Sequence, residues 1–201
     1  GKSFVNYGEA VLVARIVEEL VRDSERGDNH GEDDEAWLDE WTDGEWDDDN
    51  NKAGIGTAGD EEAWRAGVMG GPVRSEDIGV ISGYAGQVMH VRELLEERAI
   101  MVGGAPLRRV EVNTVDAFQG REKELMVIST VRSNAVNSLG FLSDWRRLNV
   151  ALTRAKRGLV IVGDEHTLRC DPYWERLLDL LDDRECFLSE AALLAKLHKR
   201  H

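Results

Sequence analysis

An arginine-rich stretch, residues 144–164, reads DWRRLNVALTRAKRGLVIVGD and combines a short helical pattern with a buried strand. Arg147, Ala151 and Arg154 recur at helical spacing and therefore share one face of the predicted helix. A guanidinium group on a rigid helix presents a planar fork of donors that matches the oxygens of phosphates and carboxylates. The stretch therefore predicts an anion-binding element beside a sheet.

The ends of this helix are predicted from its capping residues. Ser143 or Asp144 supplies the side-chain oxygen that an N-cap requires. Gly158 is expected to end the helix before a strand of residues 159–162. A different face is predicted to be apolar because three further residues repeat at helical spacing: Leu148, Leu152 and Ala155.

A polar loop follows a predicted strand at residues 113–124, NTVDAFQGREKE. Gly120 lets the backbone approach a phosphate closely and offer its N–H groups. Gln119 and Glu122 are able to orient a water, a ribose or a neighbouring arginine. Taken alone, a Gln-Gly pair usually marks only a turn, and a helix arginine is usually solvated or paired with an acid.

A second polar loop follows the next strand and offers the donors Arg132, Ser133 and Asn134. Ligands of open α/β sheets bind beyond the carboxyl ends of the strands. We therefore expect both loops and the arginine helix to meet at that edge of the sheet.

Short apolar strands alternate with helical patterns along the chain of 201 residues, which is long enough for one domain with a substantial core. This alternation predicts an α/β fold with a mostly parallel, doubly wound sheet. The predicted helices cover residues 9–21, 86–98 and 173–183, and the predicted strands cover residues 77–84, 108–114 and 125–131.

The net charge of −14 is concentrated in one segment. Residues 23–65 contain 17 acidic and three basic residues, whereas the rest of the chain contains 22 of each. The acidity therefore does not argue against nucleic-acid binding by the remaining residues.

Residues 23–74 are predicted to be an acidic, disordered insertion between the two parts of the domain, residues 1–22 and 75–190, with a C-terminal tail at 191–201. The insertion is interpreted as a solvated loop. Alternatively, it binds a protein partner or competes with nucleic acid. Four tryptophans among its carboxylates motivate the second hypothesis: Trp37, Trp41, Trp46 and Trp64.

Only two cysteines are present and no stretch approaches the roughly 20 apolar residues of a membrane span, so we expect an intracellular protein, nuclear or cytoplasmic, without a membrane partner.

The run VNTVDAFQGREKELMVISTVRSN, followed by GFLSDWRRLNVALTRAKRGLVIVGD, resembles superfamily 1 helicases of the Upf1-like group. The resemblance extends from Val110 to Asp164, and the stretches IGVISGY with Gln87 and SFVNYGEA resemble earlier blocks of that family. Two positions depart from it. The family has Thr-Pro-Tyr where this chain reads SGY, and it commonly has proline at Trp145.

The resemblance implies a RecA-like domain of the P-loop NTPase type, the second of the two in an ATP-driven helicase. ATP with Mg²⁺ would lie between the domains, and the metal would be held mainly by the first one, so no metal ligand is expected here. Arg154 would be the arginine finger, Gln119 and Glu122 would act with it, and Gly120, Glu122 and Arg147 would also contact the nucleotide.

The expected partners are the first RecA-like domain and single-stranded RNA or DNA, with 5′ to 3′ translocation by analogy. Nucleic-acid contacts are implied for six residues: Ser82, Tyr84, Thr114, Arg132, Ser133 and Asn134.

A complete helicase also needs a P-loop, and the opening Gly-Lys-Ser is rejected as one because no strand or earlier glycine precedes it. The chain is therefore expected to be a fragment that hydrolyses ATP poorly alone. The alternatives are a degenerate domain that only binds nucleic acid or protein, and a P-loop enzyme outside the helicases, such as a kinase.

Overall fold

The structure is a computed structural model that describes residues 3–26, 73–102, 104–136 and 138–198. The predictions for the acidic segment and its tryptophans fall on residues 27–72 and so lie outside the described residues.

The described residues form four strands and six helices, together with short 3₁₀ turns at Ser75–Asp77, Ala105–Arg109, Asp116–Phe118 and Gly140–Ser143. The strands are β1 (Ile78–Ser82), β2 (Glu111–Thr114), β3 (Lys123–Ser129) and β4 (Ala155–Val162). The helices are α1 (Tyr7–Arg26), α2 (Ala85–Val102), α3 (Trp145–Leu152), α4 (Glu165–Leu168), α5 (Pro172–Asp183) and α6 (Glu190–His198).

The four strands form one parallel sheet in the order β2-β1-β3-β4. All five residues of β1 are buried, as expected for a central strand covered on both faces. The expected α/β fold with a parallel sheet is therefore confirmed, and its architecture is that of a RecA-like domain.

Helices α1 and α2 cover one face of the sheet. Ala10, Val13 and Val17 of α1 are fully buried and pack in one cluster with Val80 of β1 and Val127 of β3. Asn6 begins α1 as its N-cap, because its Oδ1 accepts from the Glu9 N–H at 3.1 Å. Helix α1 continues to Arg26, into the segment predicted as the insertion.

Helices α3 and α5 cover the opposite face. Ala151 of α3 packs with Phe118 and with Ile128 of β3. Trp174 of α5 is buried against Leu142, whose carbonyl accepts from the indole Nε1–H at 2.9 Å. None of the helices in the described ranges is long and apolar enough to cross a membrane.

The boundary between α3 and β4 differs from the prediction. Asp144 is the N-cap, as expected, but α3 ends at Leu152, and Gly158 lies inside β4 opposite Leu125. A Cβ at Gly158 would lie 2.6 Å from Leu125 Cδ2, so the glycine permits close strand packing rather than ending a helix. Ala155 belongs to β4, and Ala151, expected on the arginine face, is buried.

Candidate nucleotide and nucleic-acid sites

The loop of residues 119–122 and Arg154 meet at the amino ends of β3 and β4. The Lys123 N–H donates to the Arg154 carbonyl at 3.0 Å, just where the two strands begin. The prediction placed these groups at the carboxyl edge, and that location is wrong. A connection between parallel strands must return to the opposite edge before the next strand starts, so the end of each connection lies at the amino edge.

Arg154 is held by three hydrogen bonds. Its Nε donates to the Val150 carbonyl at 3.0 Å, its Nη1 to the Arg121 carbonyl at 3.3 Å and its Nη2 to Thr153 Oγ1 at 3.0 Å. All three acceptors are neutral. Within the described part of the chain, no carboxylate forms an ion pair with this guanidinium, so its charge is oriented but not neutralised.

The cations that follow Arg154 are in a different situation. Lys156 Nζ and Arg157 Nε lie 3.2 and 2.8 Å from the Glu124 carboxylate oxygens. The hydrogen bond from Lys156, with a further one from Arg157, holds the pKa of Glu124 below its usual value although partial burial opposes this. Arg154 is therefore distinguished from its neighbours by the absence of such a compensating acid in the described ranges.

The turn beside Arg154 is built around Gly120. This residue has φ +80°, and a Cβ added there would meet nothing within 4 Å, so the backbone conformation rather than packing favours glycine. Phe118 is fully buried and anchors the turn to the core. Gln119 and Glu122 are exposed on it. Their side chains are available to a ligand at this edge.

The base of the same turn is fixed by ion pairs. Arg121 bonds the Glu111 carboxylate, and Lys123 Nζ lies 3.2 Å from the other oxygen of that group. Partial burial raises the pKa of Glu111, but the hydrogen bonds from Lys123 and Arg121 outweigh it and lower that pKa. These contacts hold the start of β3 and the turn as one unit.

Arg147 lies apart from this cluster, at the first turn of α3. Its guanidinium carbon is 4.2 Å from the centroid of the Phe141 ring, and its Nη2 is 3.4 Å from Asp116 Oδ2. Seven residues along a helical path correspond to a rise of roughly 10 Å, so a shared face does not bring Arg147 and Arg154 together. The predicted nucleotide contact of Arg147 is not supported by this position.

The residues predicted to contact nucleic acid lie at or just beyond the carboxyl ends of β1, β2 and β3, at the edge opposite Arg154. Tyr84 and Thr114 are partly exposed there, as is Arg132. The predicted nucleic-acid contact of Ser82 is not supported by its position. Only 2% of its surface is exposed, and its hydroxyl accepts from the Tyr84 N–H at 3.4 Å. Its side chain supports Tyr84 instead of reaching a ligand.

Ser133 and Asn134 shape the loop after β3. The Ser133 hydroxyl donates to Asp164, and this hydrogen bond lowers the pKa of the Asp164 carboxyl despite partial burial. Asn134 closes the loop on Ser138, accepting from its N–H at 2.9 Å and donating to its carbonyl at 3.1 Å. Asn134 is therefore used within the protein, which leaves Arg132 as the charged donor of this loop.

Two aromatic rings that the sequence reasoning did not select flank this edge. Tyr84 lies between Phe4 and Phe141, with ring centroids 5.4 and 6.0 Å away. The guanidinium carbon of Arg132 lies 4.7 Å from the Phe4 ring centroid. Phe4 could have been selected from the sequence, because it lies in the SFVNYGEA stretch that resembles an early block of the family.

A family model and the similar known proteins point to the same family. The family model described as AAA domain matches residues 63–166, slightly more than half of the chain. A Neurospora crassa protein named regulator of nonsense transcripts 1 homolog is 47% identical over 116 residues, which cover 58% of this chain and 10% of that protein.

Two further relatives carry helicase names. The Saccharomyces cerevisiae ATP-dependent helicase NAM7 is 42% identical over 116 residues, covering 58% of this chain and 12% of the relative. The Schizosaccharomyces pombe DNA polymerase alpha-associated DNA helicase A is 40% identical over 119 residues, covering 59% and 17%. The chain thus spans only a small part of these relatives. The family match, the relatives and the RecA-like sheet agree that the chain belongs to the AAA domain family, within the Upf1-like group of superfamily 1 helicases.

Proposed function

We propose that this chain is the second RecA-like domain of an ATP-dependent helicase and that Arg154 is its arginine finger. The observation that carries the proposal is the guanidinium of Arg154, which is oriented by three neutral acceptors beside the Gly120 turn. Such an uncompensated planar fork matches the oxygens of a phosphate group.

Arg154 would stabilise the negative charge that develops on a transferred phosphoryl group. Arginine fingers contribute about 10³–10⁵ in rate where they have been measured. Gln119 and Glu122 project from the adjacent turn and would orient the attacking water or a ribose. Mg²⁺ would accompany ATP and be held mainly by the first RecA-like domain.

Nucleic acid would bind at the carboxyl edge, through Arg132, Thr114 and Tyr84. Phosphate contacts do not distinguish RNA from DNA, which differ at the 2′-hydroxyl of the sugar, and the named relatives include both a regulator of nonsense transcripts and a DNA helicase. The nucleotide site and the nucleic-acid site would thus occupy opposite edges of one sheet. Movement of this rigid domain toward ATP would then displace its contacts with the nucleic acid.

The proposed motor domain comprises residues 1–22 and 75–190. Residues 23–74 would be an acidic segment that binds a protein partner, and residues 191–201 would be a tail. We place the protein inside the cell, in the nucleus or cytoplasm, where its proposed substrates are found.

The deciding experiment measures ATP hydrolysis, with and without single-stranded RNA or DNA, by the protein that contains this chain together with its first RecA-like domain. Hydrolysis stimulated by nucleic acid supports the motor assignment. Nucleic-acid binding without hydrolysis would instead favour a domain that serves only as a binding module.

A further inference from the structure

A buried polar cluster joins the start of α1 to the end of β3. Gln87 is fully buried; its Oε1 accepts from the Asn6 N–H at 2.8 Å, and its Nε2 donates to Ser129 Oγ at 3.0 Å. Glu9 is 8% exposed, and its Oε1 accepts from Ser129 Oγ at 2.7 Å. These residues are far apart in sequence, so the cluster fixes the strand exit relative to α1.

The cluster ends on a backbone residue in an unusual conformation. Val131 has φ +69°, a left-handed value that is rare for a β-branched residue and therefore strained. Its N–H donates to Glu9 Oε1 at 2.8 Å, and its carbonyl accepts from Asn6 Nδ2 at 3.3 Å. Both polar groups of this one residue are therefore clamped from α1 and its N-cap.

Arg132 is the next residue, and its side chain is supported by the same N-terminal segment. Its guanidinium lies over the ring of Phe4, which is 45% exposed, and its Nε donates to the Ser138 carbonyl at 2.7 Å. No carboxylate in the described ranges pairs with it. The backbone direction at Val131 and the ring of Phe4 together set where this positive charge points.

We propose that Asn6 and Glu9 are positioning residues, which hold Val131 in its left-handed conformation and thereby direct Arg132 toward the sugar–phosphate backbone, while Phe4 supports the guanidinium. This inference rests on the proposed nucleic-acid site. A merely structural cluster would affect folding stability alone, whereas a positioning cluster acts on affinity through Arg132.

The test measures binding of a fluorescent single-stranded oligonucleotide, oligo(U) or oligo(dT), at several salt concentrations to the protein with both RecA-like domains. We expect Glu9→Ala to weaken binding roughly tenfold, the effect of one charge-assisted hydrogen bond. The slope of log affinity against log salt concentration should also become shallower, by about the amount that one phosphate contact contributes. Glu9→Gln, which keeps the acceptor oxygen, should retain most of the affinity.

A double mutant separates positioning from general damage. Arg132→Ala alone should reproduce the loss, and Glu9→Ala combined with Arg132→Ala should bind no more weakly than Arg132→Ala. Glu18→Ala is the matched control. Glu18 is another 8% exposed glutamate of α1, but it pairs with Arg22 and Arg98. This control should lose stability without losing affinity.

If Glu9→Ala fails to fold, Phe4→Ala becomes the test of the proposal, because removal of this half-exposed ring leaves no cavity in the core. It should also weaken binding and be non-additive with Arg132→Ala. Wild-type affinity and salt slope in Glu9→Ala or Phe4→Ala, or losses that add to that of Arg132→Ala, would overturn the inference. A wild-type protein that binds neither oligonucleotide would instead refute the proposed nucleic-acid site itself.

Discussion

The guanidinium of Arg154 donates to the backbone carbonyl of Arg121 over 3.3 Å, and this bond joins the residue before β4 to the turn around Gly120. The strand hydrogen bond from the Lys123 N–H to the Arg154 carbonyl, at 3.0 Å, links the same two segments. The proposed finger and the proposed phosphate-facing turn therefore form one rigid unit, and a change in the turn should be felt at the arginine.

Substitution of Gly120 should destabilise the domain through backbone strain alone. At φ +80° with nothing within 4 Å of an added Cβ, Gly120→Ala should lower the free energy of unfolding by about 1–2 kcal/mol. Gly120→Asn should cost less, because asparagine tolerates the left-handed region. Urea unfolding of the two variants measures the difference.

Gly8 provides the control for that experiment. It lies in the exposed first turn of α1, where an added Cβ meets only Asn6 Oδ1 at 3.8 Å. Gly8→Ala should therefore raise the unfolding free energy by about 0.5–1 kcal/mol. Equal effects of alanine at Gly8 and Gly120 would contradict the role assigned to the left-handed turn.

The Trp174 indole should be needed for stability beyond its apolar surface. Trp174→Phe removes the donor that satisfies the Leu142 carbonyl, and it leaves a small cavity, so we expect a loss of about 2 kcal/mol. Trp145→Phe is the matched control, since Trp145 is 51% exposed, and it should change stability by less than about 0.5 kcal/mol. Thermal unfolding compares the two, and similar shifts would count against this assignment.

Glu9 should make the stability depend on pH. Burial raises the pKa of its carboxyl to about 7 against the opposing hydrogen bonds from Val131, Ser129 and Thr130, and the negative charge of Asp164 adds to the increase. The ordinary value of 4.5 applies to the unfolded chain. As the pH rises between these two values, the unfolded state releases a proton that the folded state keeps, so the free energy of unfolding falls by roughly 3 kcal/mol.

The stabilising contribution of neutral Glu9 is thus fully present below pH 4.5 and is lost as the pH rises through about 7. Glu9→Gln, which cannot ionise, should gain stability relative to the wild type across this window. Urea unfolding of both proteins between these pH values tests this. A stability difference that does not vary with pH would show that Glu9 is not protonated in the folded state.

The strands and main helices could be predicted because each is encoded by local periodicity. The apolar run at β1, the helical repeat of α1 and the Asp144 cap were all recognisable. The edge of the sheet at which a side chain lies was not, since helical spacing defines a face and not an end. Arg147 and Arg154 therefore share a predicted face, but Arg147 lies in the first turn of α3 and Arg154 lies beyond its last residue, Leu152.

The buried cluster around Glu9 was missed because its partners are distant in sequence. The bond from Val131 to Glu9 spans 122 residues, and the bonds between Asn6 and Gln87 span 81. Ser82 was misassigned for a related reason. A polar residue at the end of a strand is usually exposed, whereas this one is covered by neighbouring elements that the local pattern does not report.

The most direct measurement is nucleic-acid-stimulated ATP hydrolysis by the protein with both RecA-like domains, comparing the wild type with Arg154→Ala, Arg154→Lys and the control Lys156→Ala. We expect Arg154→Ala to lower the rate about 10³-fold or more with ATP binding largely kept, and we expect lysine to restore little because it lacks the planar fork. Lys156→Ala should hydrolyse ATP at nearly the wild-type rate. An unchanged rate in Arg154→Ala would contradict the finger assignment and leave Arg154 with a structural role.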